Sequence, residues 1–220
     1  MSPAAAPPNF GRLARVYRAL EFLAFGGALE RARFRFLPEL AGCESILVLG
    51  EGDGRCVARL VQLAPQARID CIELSPAMVA HAAARLRGRI GADRVHFITG
   101  DIFAQPLTPA AYDAVVTFFF LDCFSTAQVA ELIGRVGRSL RPGARWLWAD
   151  FVEPARGWRR WRARLWLAVL YASFRWGTGL QTRVLPEAEA ALVAGGWRAV
   201  HRREFQQGLL RSAVFMRAAP

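Results

Sequence analysis

Three alternating glycines, Gly50, Gly52 and Gly54, follow the apolar run 46–49 and mark the clearest candidate binding site in the chain. Because glycine has no Cβ atom, it adopts positive φ angles and lets a ligand come close to the backbone. The amide groups of such a loop suit carboxylates, phosphates and hydroxyls. A dinucleotide loop needs a third glycine where this chain has Arg55. The pattern therefore indicates another nucleotide-type cofactor, or a simple tight turn.

Two acidic residues that follow later apolar runs could bind the same ligand. Glu73 comes 23 residues after Gly50, where a second strand presents a carboxylate to ribose hydroxyls. Asp101 follows the apolar run 95–99 and Gly100. Each acid also has a purely structural interpretation. Glu73 could interact with the dipole of the next helix, and Asp101 could form an Asx turn.

Together these residues resemble the class I S-adenosylmethionine (SAM) dependent methyltransferases of the broad UbiE-like group. In that family the glycine loop wraps the methionine end of SAM. The resemblance further implies that Glu73 binds the ribose, while Asp101 accepts a hydrogen bond from the adenine amine and Ile102 packs on the ring. The full set of cofactor contacts that it implies is Gly50, Glu51, Gly52, Asp53, Gly54, Glu73, Leu74, Asp101, Ile102, Phe119 and Tyr17.

The chain departs from the family at one position. Many members carry an acid two residues before the first glycine, where this chain has Val48. That acid orders the loop, so we expect Glu51 and Asp53 to order it here. The Gly-Asp-Gly-Arg sequence also resembles aminopropyltransferases, which share the fold and need several acids after the fourth strand. Only Asp122 stands there, so aminopropyl transfer is the alternative enzymatic activity.

The ends of the fourth and fifth predicted strands should border the methyl acceptor, because ligands collect at the carboxyl ends of such strands. Phenylalanines at positions 118, 119, 120 and 124 suggest an apolar, aromatic or lipid-like acceptor, or belong to the core. Asp122 and Asp150 are the candidates for a general base or for orienting the acceptor. Either could instead cap a helix or pair with arginine. Neither an Asn-Pro-Pro-Tyr nor a Pro-Cys motif is present, which argues against a nucleic-acid acceptor.

Arginines and tryptophans crowd the segment 154–184. Trp158 and Trp161 share one helical face with Leu165, and arginines surround the start of that helix. A basic, tryptophan-bearing amphipathic helix suits an anionic membrane surface. It could equally be a lid that encloses the acceptor, as in the resembling quinone methyltransferases. A protein of this fold that binds RNA or anionic lipid through these arginines is the alternative outside enzymes.

Apolar runs alternate with helical patterns through most of the chain. Strands are predicted near 46–49, 68–72, 94–98, 113–119 and 145–151, and helices near 54–64, 76–90, 126–139 and 186–194. Residues 141–143, Arg-Pro-Gly, should break the chain before the fifth strand. Two more strands, 197–205 and 209–217, should form a hairpin around 206–208. The predicted class is α/β: a Rossmann-like, mostly parallel sheet with helices on both faces, to which the resemblance adds seven strands and an antiparallel last strand.

The chain length of 220 residues suits one domain, predicted over 10–220 after a disordered lead-in at 1–9. Helical spacing over 10–40 predicts N-terminal helices, and Tyr17 would be a cofactor contact there. The net charge of +11 comes from 29 arginines and no lysine, and it should attract anionic partners.

Composition also bears on location and metals. Four cysteines form no Cys-x-x-Cys pair, which predicts reduced thiols in a cytoplasmic protein. The N-terminus lacks a signal-peptide pattern, and no apolar run is long enough to span a membrane. We therefore expect a cytoplasmic protein with possible peripheral contact at the inner membrane face. Three scattered histidines give no metal-ligand spacing, so no metal is expected.

Overall fold

The apolar runs of the sequence form one seven-stranded sheet in a computed structural model that describes residues 27–154, 157–158, 161 and 185–217. The strands are β1 (Ser45–Leu49), β2 (Arg68–Glu73), β3 (Val95–Thr99), β4 (Tyr112–Phe118), β5 (Leu140–Phe151), β6 (Trp197–Phe205) and β7 (Leu210–Arg217). Their order across the sheet is β3-β2-β1-β4-β5-β7-β6. Strand order therefore reverses between β1 and β4, which is where ligands bind in open α/β sheets.

Strand β7 alone runs against the other six. It pairs antiparallel with β5 on one side and with β6 on the other, and the remaining pairs are parallel. A short turn at Gln206–Gly208 joins β6 to β7. Both the predicted hairpin and the predicted fold class are confirmed.

Five α-helices lie in the described part of the chain: α1 (Ala28–Phe34), α2 (Arg55–Leu63), α3 (Pro76–Leu86), α4 (Thr126–Ser139) and α5 (Ala188–Ala194). The Ser75 side chain caps α3, and Pro76 occupies its first turn. Ser125 and Gln128 form a capping box at the start of α4. Helix α3 ends four residues earlier than predicted, because Gly88 adopts a φ of 73° soon after it.

The two faces of the sheet carry separate hydrophobic cores. On one face α4 and α5 pack on residues such as Leu47, Val115 and Trp146. On the other face α2 covers Val48, Cys71 and neighbouring strand residues. This two-sided coverage follows from the alternation of side chains along each strand.

The prediction for the start of β5 is wrong. Residues 141–143 do not separate α4 from the strand, since β5 begins directly after the helix, at Leu140. The pairing with β4 shifts register between Tyr112 and Ala114, and regular pairing begins at Arg145. Gly143, with a φ of 77°, lies within this irregular stretch. The Pro-Gly pair therefore marks a bulge within a strand instead of a break before one.

Several predictions fall wholly or partly outside the described residues. These are the lead-in 1–9, Tyr17, and most of the segment 154–184. Of the predicted N-terminal helices, residues 27–40 contain α1 and the 3-10 turn Leu37–Leu40. Within the ranges given above, no helix is both long and apolar enough to cross a membrane.

Candidate cofactor site

The glycine loop, Glu73 and Asp101 lie at one edge of the sheet, where three neighbouring parallel strands end. The loop after β1 is tied to β2, because the Gly50 amide donates to the Ile72 carbonyl over 3.0 Å. The loop after β3 is tied to β2 as well, because the Gly100 amide donates to the Glu73 carbonyl over 3.0 Å. These backbone bonds hold the glycine loop, Glu73 and Asp101 in adjacent positions along the edge.

All three glycines of the loop adopt the left-handed conformation, with φ angles of 68°, 66° and 85°. A Cβ atom on Gly50 would lie 2.2 Å from the Phe120 ring, and one on Gly54 would lie 2.6 Å from Cα of Ala82. A Cβ atom on Gly52 would meet no atom within 4 Å. Gly50 and Gly54 are therefore required by packing within the protein, whereas Gly52 borders open space suited to a ligand.

Glu51 caps the helix that follows the loop. Its Oε1 accepts hydrogen bonds from the amides of Cys56 at 2.9 Å and Val57 at 3.2 Å. Its Oε2 is buried and has no hydrogen-bond partner among the residues that the structure describes. Burial raises the pKa of this carboxyl to about 8, although the two amide bonds oppose the shift.

Asp53 fixes the other side of the loop. Its carboxylate pairs with Arg55 at 3.0 Å and with Arg85 at 3.1 Å, and Arg85 also donates to the Asp53 carbonyl. Val48, at the position of the missing family acid, is 2% exposed in the core. The contacts of Glu51 and Asp53 are those expected of residues that order the loop in its place.

Glu73 links the glycine loop to the start of α3. One carboxylate oxygen accepts from the Gly52 amide at 3.1 Å, and the other accepts from the Ser75 amide at 2.9 Å. Each oxygen keeps a further lone pair, so the carboxylate can also accept from ligand hydroxyls. The next residue, Leu74, has an exposed fraction of 69%, which leaves its side chain available to cover a ligand.

Asp101 is exposed beside this group and forms the Asx turn that the sequence left open. Its Oδ1 accepts from the Phe103 amide at 3.0 Å. The turn leaves Oδ2 available for another donor, so the structural and ligand-binding interpretations are compatible. Ile102 is 4% exposed and packs in the core on the α4 side of the sheet.

A cavity of about 350 Å³ opens at the glycine loop. Phe119 lines it, as predicted, and has a φ of 52°, which is strained for a residue with a side chain. Arg33 of α1 lies over this ring, with its guanidinium carbon 5.0 Å from the ring centroid. The cavity lining thus combines the loop carboxylates with a cationic side chain and aromatic surface.

Sequence reasoning missed Arg33 and three α3 residues that line the same cavity, Met78, His81 and Arg85. The α3 residues are spaced by three and four positions and so share one helix face, which was a usable signal. Arg33 carried no such signal, because it stands among several arginines of similar spacing.

Asp122 and Asp150 form a buried pair, 8% and 1% exposed. The Asp122 amide donates to Asp150 Oδ2 at 3.2 Å, and the Phe151 amide donates to Asp150 Oδ1 at 2.9 Å. Burial raises the pKa of Asp122 to about 6 and that of Asp150 well above its ordinary value. Neither residue lines the cavity at the glycine loop. The pair organises the turn between β4 and α4, and its catalytic role stays a prediction.

The four phenylalanines at and after the end of β4 do not form one surface. Phe120 and Phe124 pack on the core beneath α4, with their ring centroids 5.0 Å apart. Phe118 packs on the opposite core, and Phe119 packs on a small cluster that α1 contributes to. Side chains alternate across a strand, and so consecutive aromatic residues diverge.

A second cavity, of about 810 Å³, lies beyond the end of β5. Its lining includes Trp148, Phe151, Pro154 and Leu185, with α5 forming another part of the wall. The Phe151 ring contacts the Phe119 ring at a centroid distance of 5.1 Å. One aromatic pair therefore contributes a ring to the lining of each cavity.

The residues present fit SAM. The amino-acid end of SAM carries an ammonium and a carboxylate, and the first cavity is lined by a carboxyl group, Glu51, and a guanidinium, Arg33. Gly52 leaves room for close backbone contact, and the Glu73 carboxylate stands beside it. Among the described residues, no group of three or more His, Cys, Asp or Glu side chains is arranged to hold a metal ion.

Comparisons with known proteins agree with the predicted family. The sequence model of the methyltransferase domain family matches residues 47–146. The ubiquinone/menaquinone biosynthesis C-methyltransferase UbiE of Paracoccus denitrificans is 25% identical over 146 residues, which are 66% of this chain and 58% of that protein. Acetylserotonin O-methyltransferase of Mus musculus is 34% identical over 109 residues, which are 48% of this chain and 27% of that protein. The chain thus spans about half or less of these curated relatives.

A solved structure extends the agreement to the whole fold. The 1,6-didemethyltoxoflavin-N1-methyltransferase of Burkholderia thailandensis, solved with its substrate and S-adenosylhomocysteine, superposes with a TM-score of 0.66 at 18% identity. The superposition covers 100% of this chain and 93% of that one. The predicted family is confirmed, and SAM is the cofactor of that family. The matched residues 47–146 hold the glycine loop, Glu73 and Asp101, and they are similar to a methyltransferase domain.

Proposed function

We propose that this protein binds SAM at the glycine loop and transfers its methyl group to a small apolar or aromatic acceptor. The observation that carries the proposal is the convergence of Gly52, Glu73 and Asp101 at adjacent strand ends. Bound SAM supplies an activated methyl group on a sulfonium. The tasks left to the protein are then to align the acceptor with that methyl group and to exclude water.

We place the acceptor in the second cavity, beyond the Phe119 and Phe151 rings. Trp148, Phe151 and Leu185 give part of this cavity an apolar lining, which suits an aromatic or lipid-like molecule. Glutamates and arginines on the rest of the lining would meet polar groups of the acceptor. The contact between the two rings would bring the acceptor close to the cofactor cavity. Aminopropyl transfer has less support, because Asp122 is buried and lines neither cavity. Three carboxylates do line the second cavity, Glu153, Glu187 and Glu189, but Glu189 already pairs with Arg202 and Arg211.

Isothermal titration calorimetry with SAM tests the cofactor part of the proposal. We expect Glu73→Gln to weaken SAM binding on the order of 100-fold, since it alters two hydrogen bonds from ribose to a charged acceptor. Asp101→Asn should weaken it about tenfold, through the adenine amine. Glu131→Gln is the matched control, because Glu131 is exposed on α4. Wild-type protein that gives no heat and no thermal shift with millimolar SAM would refute the proposal.

The acceptor part needs a separate assay. Lipid and aromatic-metabolite fractions incubated with protein and radiolabelled SAM should yield a labelled small molecule. Narrowing the second cavity with Leu185→Trp should reduce that labelling while leaving SAM binding unchanged. If the variant and the wild-type protein label the acceptor equally, the acceptor binds outside the second cavity.

We also propose peripheral contact with anionic membrane through the arginine-rich segment. The proposal is supported by the exposure of two tryptophan side chains. Trp158 and Trp161 have exposed fractions of 62% and 73%, which suits insertion at a bilayer interface. Vesicles of phosphatidylglycerol should sediment with the protein, and phosphatidylcholine vesicles should not. Replacing both tryptophans with alanine should abolish the difference. A wild-type protein that binds neither kind of vesicle would leave the lid as the better interpretation.

A further inference from the structure

Phe119 adopts a backbone conformation that residues with a side chain disfavour. Its φ angle of 52° lies in the left-handed region, where the Cβ atom crowds the following carbonyl oxygen. A residue stays in such a conformation only when the surrounding structure requires it. One of the contacts that require it is the hydrogen bond from the Phe119 amide to the Ala149 carbonyl of β5, over 2.7 Å. Strained residues cluster at functional sites, so the position of this ring calls for an explanation.

The left-handed conformation takes the Phe119 ring out of the regular alternation of side chains. Phe118 packs on the core that α2 covers, and a regular strand would send the next side chain to the opposite core. Phe119 packs instead on the cluster that contains Leu29 of α1. Phe120 is the residue that packs on the core beneath α4. The strained backbone therefore directs the Phe119 ring towards α1.

The Phe119 ring lies between the two cavities. It lines the first cavity, at the glycine loop. It also contacts the ring of Phe151, which lines the second cavity, at a centroid distance of 5.1 Å and an interplanar angle of 61°. Leu185 packs on the same cluster and lines the second cavity as well. The two cavities thus share an apolar wall made of Phe119, Phe151 and Leu185.

Several contacts hold the Phe119 part of this wall in place. Phe151 is 8% exposed and belongs to the buried part of the cluster. Arg33 of α1 lies over the Phe119 ring, with its guanidinium carbon 5.0 Å from the centroid. Helix α1 is itself tied to β7, because the Ser212 hydroxyl donates to the Ala32 carbonyl. The ring is therefore held between α1 and β5 and forms a fixed boundary of the first cavity.

We infer that Phe119 restricts the group that this protein transfers to a methyl group. The inference rests on the proposed function, because it takes SAM as the ligand of the first cavity and the second cavity as the acceptor site. A group that passes between the cavities has to pass beside the Phe119 ring, and reacting atoms must come within about 3–3.5 Å of each other. A ring held in place there leaves room for one carbon atom and collides with a longer chain. The same restriction argues against aminopropyl transfer, because an aminopropyl group is longer than a methyl group.

Calorimetry with ligands that differ only at the sulfur atom tests the inference. The ligands are SAM, its S-allyl analogue, and S-adenosylhomocysteine, which carries no transferable group. We expect wild-type protein to bind the S-allyl analogue roughly tenfold more weakly than SAM, since overpacking of this kind costs about that factor. Phe119→Ala should remove the collision and bind the S-allyl analogue within about threefold of SAM. Its affinity for S-adenosylhomocysteine should change much less, because that ligand places no group against the ring.

Two further variants complete the experiment. Phe119→Gly also removes the ring, and glycine adopts a φ angle of 52° without strain. It should therefore melt at a higher temperature than Phe119→Ala and show the same ligand preference. Phe97→Ala is the matched control, because Phe97 packs on the core that α2 covers and lines neither cavity. This control should keep the wild-type preference for SAM over the S-allyl analogue.

The outcomes separate this inference from the proposed function. Wild-type protein that binds the S-allyl analogue as tightly as SAM would overturn the inference, and this comparison needs no variant. An equal loss of affinity for all ligands in Phe119→Ala and Phe119→Gly would overturn it too, since the ring would then be a general cofactor contact. The same holds if Phe97→Ala gains as much affinity for the S-allyl analogue as Phe119→Ala does. In each of these cases wild-type protein still binds SAM. If it binds neither SAM nor S-adenosylhomocysteine, the proposed function fails, and the inference fails with it.

Discussion

Two glycines of the binding loop should respond to an alanine substitution through different effects, Gly54 mainly through stability and Gly52 mainly through SAM binding. Both Gly52 and Gly54 adopt positive φ angles, 66° and 85°, so alanine at either position costs about 1–2 kcal/mol of backbone strain. Only at Gly54 would the added Cβ atom also meet backbone, 2.6 Å from Cα of Ala82. Overpacking of this kind costs a further 1–3 kcal/mol, roughly.

We therefore expect Gly52→Ala to lower the free energy of unfolding by about 1–2 kcal/mol and Gly54→Ala by about 2–5 kcal/mol. For a chain of this size, about 2–4 °C of melting temperature corresponds to each kcal/mol. For a given loss of stability, Gly52→Ala should weaken SAM binding more than Gly54→Ala does. Gly52→Ala should weaken SAM at least tenfold, because its methyl group would occupy the open space beside the loop.

Urea unfolding and calorimetric SAM titration measure the two effects on the same preparations. Gly134→Ala is the control, since Gly134 lies exposed in α4 and an added Cβ atom there meets nothing within 4 Å. That change should stabilise the protein, by about 0.5–1 kcal/mol. The reasoning is refuted if Gly54→Ala is as stable as Gly52→Ala, or if Gly52→Ala binds SAM with wild-type affinity.

Three further changes test the scaffold. Ser125→Ala should remove the capping box and cost about 0.5–2 kcal/mol in urea unfolding, and retained stability would contradict the cap. Burial raises the pKa of Asp122 to about 6 and that of Asp150 well above its ordinary value, so the stability that this pair contributes should be present below about pH 4 and be lost as the pH rises through about 6. Asp150→Asn should make that decline shallower, and an unchanged slope would contradict the shift. Burial alone would raise the pKa of Asp113, but hydrogen bonds from backbone amides and an arginine outweigh it and lower the pKa. Its contribution to stability should therefore be present above about pH 4 and be lost as the pH falls through the lowered value. The stability difference between wild type and Asp113→Asn should therefore narrow at acid pH, and a widening difference would contradict it.

Much of the site could be predicted because its residues lie next to strand ends along the chain. Gly50, Glu73 and Asp101 each follow an apolar run, and parallel strands bring such positions to one edge. The role of Glu51 in ordering the loop was also predictable, because helix α2 begins only four residues later.

The predictions that failed or fell short depend on contacts between distant segments. The start of β5 was wrong because its pairing with β4 absorbs the Arg-Pro-Gly sequence as a bulge. Arg33 was missed because only the packing of α1 near the end of β4 brings it over the Phe119 ring. The four phenylalanines after β4 seemed to be one surface, and the sheet divides them among three clusters.

The sequence by itself determined the fold class, the family, and the adjacent cofactor anchors, because periodicity and the conformational needs of glycine are local properties. The tertiary structure decided which carboxyl groups of the loop have all their hydrogen bonds and ion pairs and which lack one. It showed that Glu51 has a buried oxygen without a partner, whereas Asp53 is neutralised by two arginines. Hydrogen bonding and burial depend on every element that approaches a residue, and the order of residues along the chain does not record those approaches.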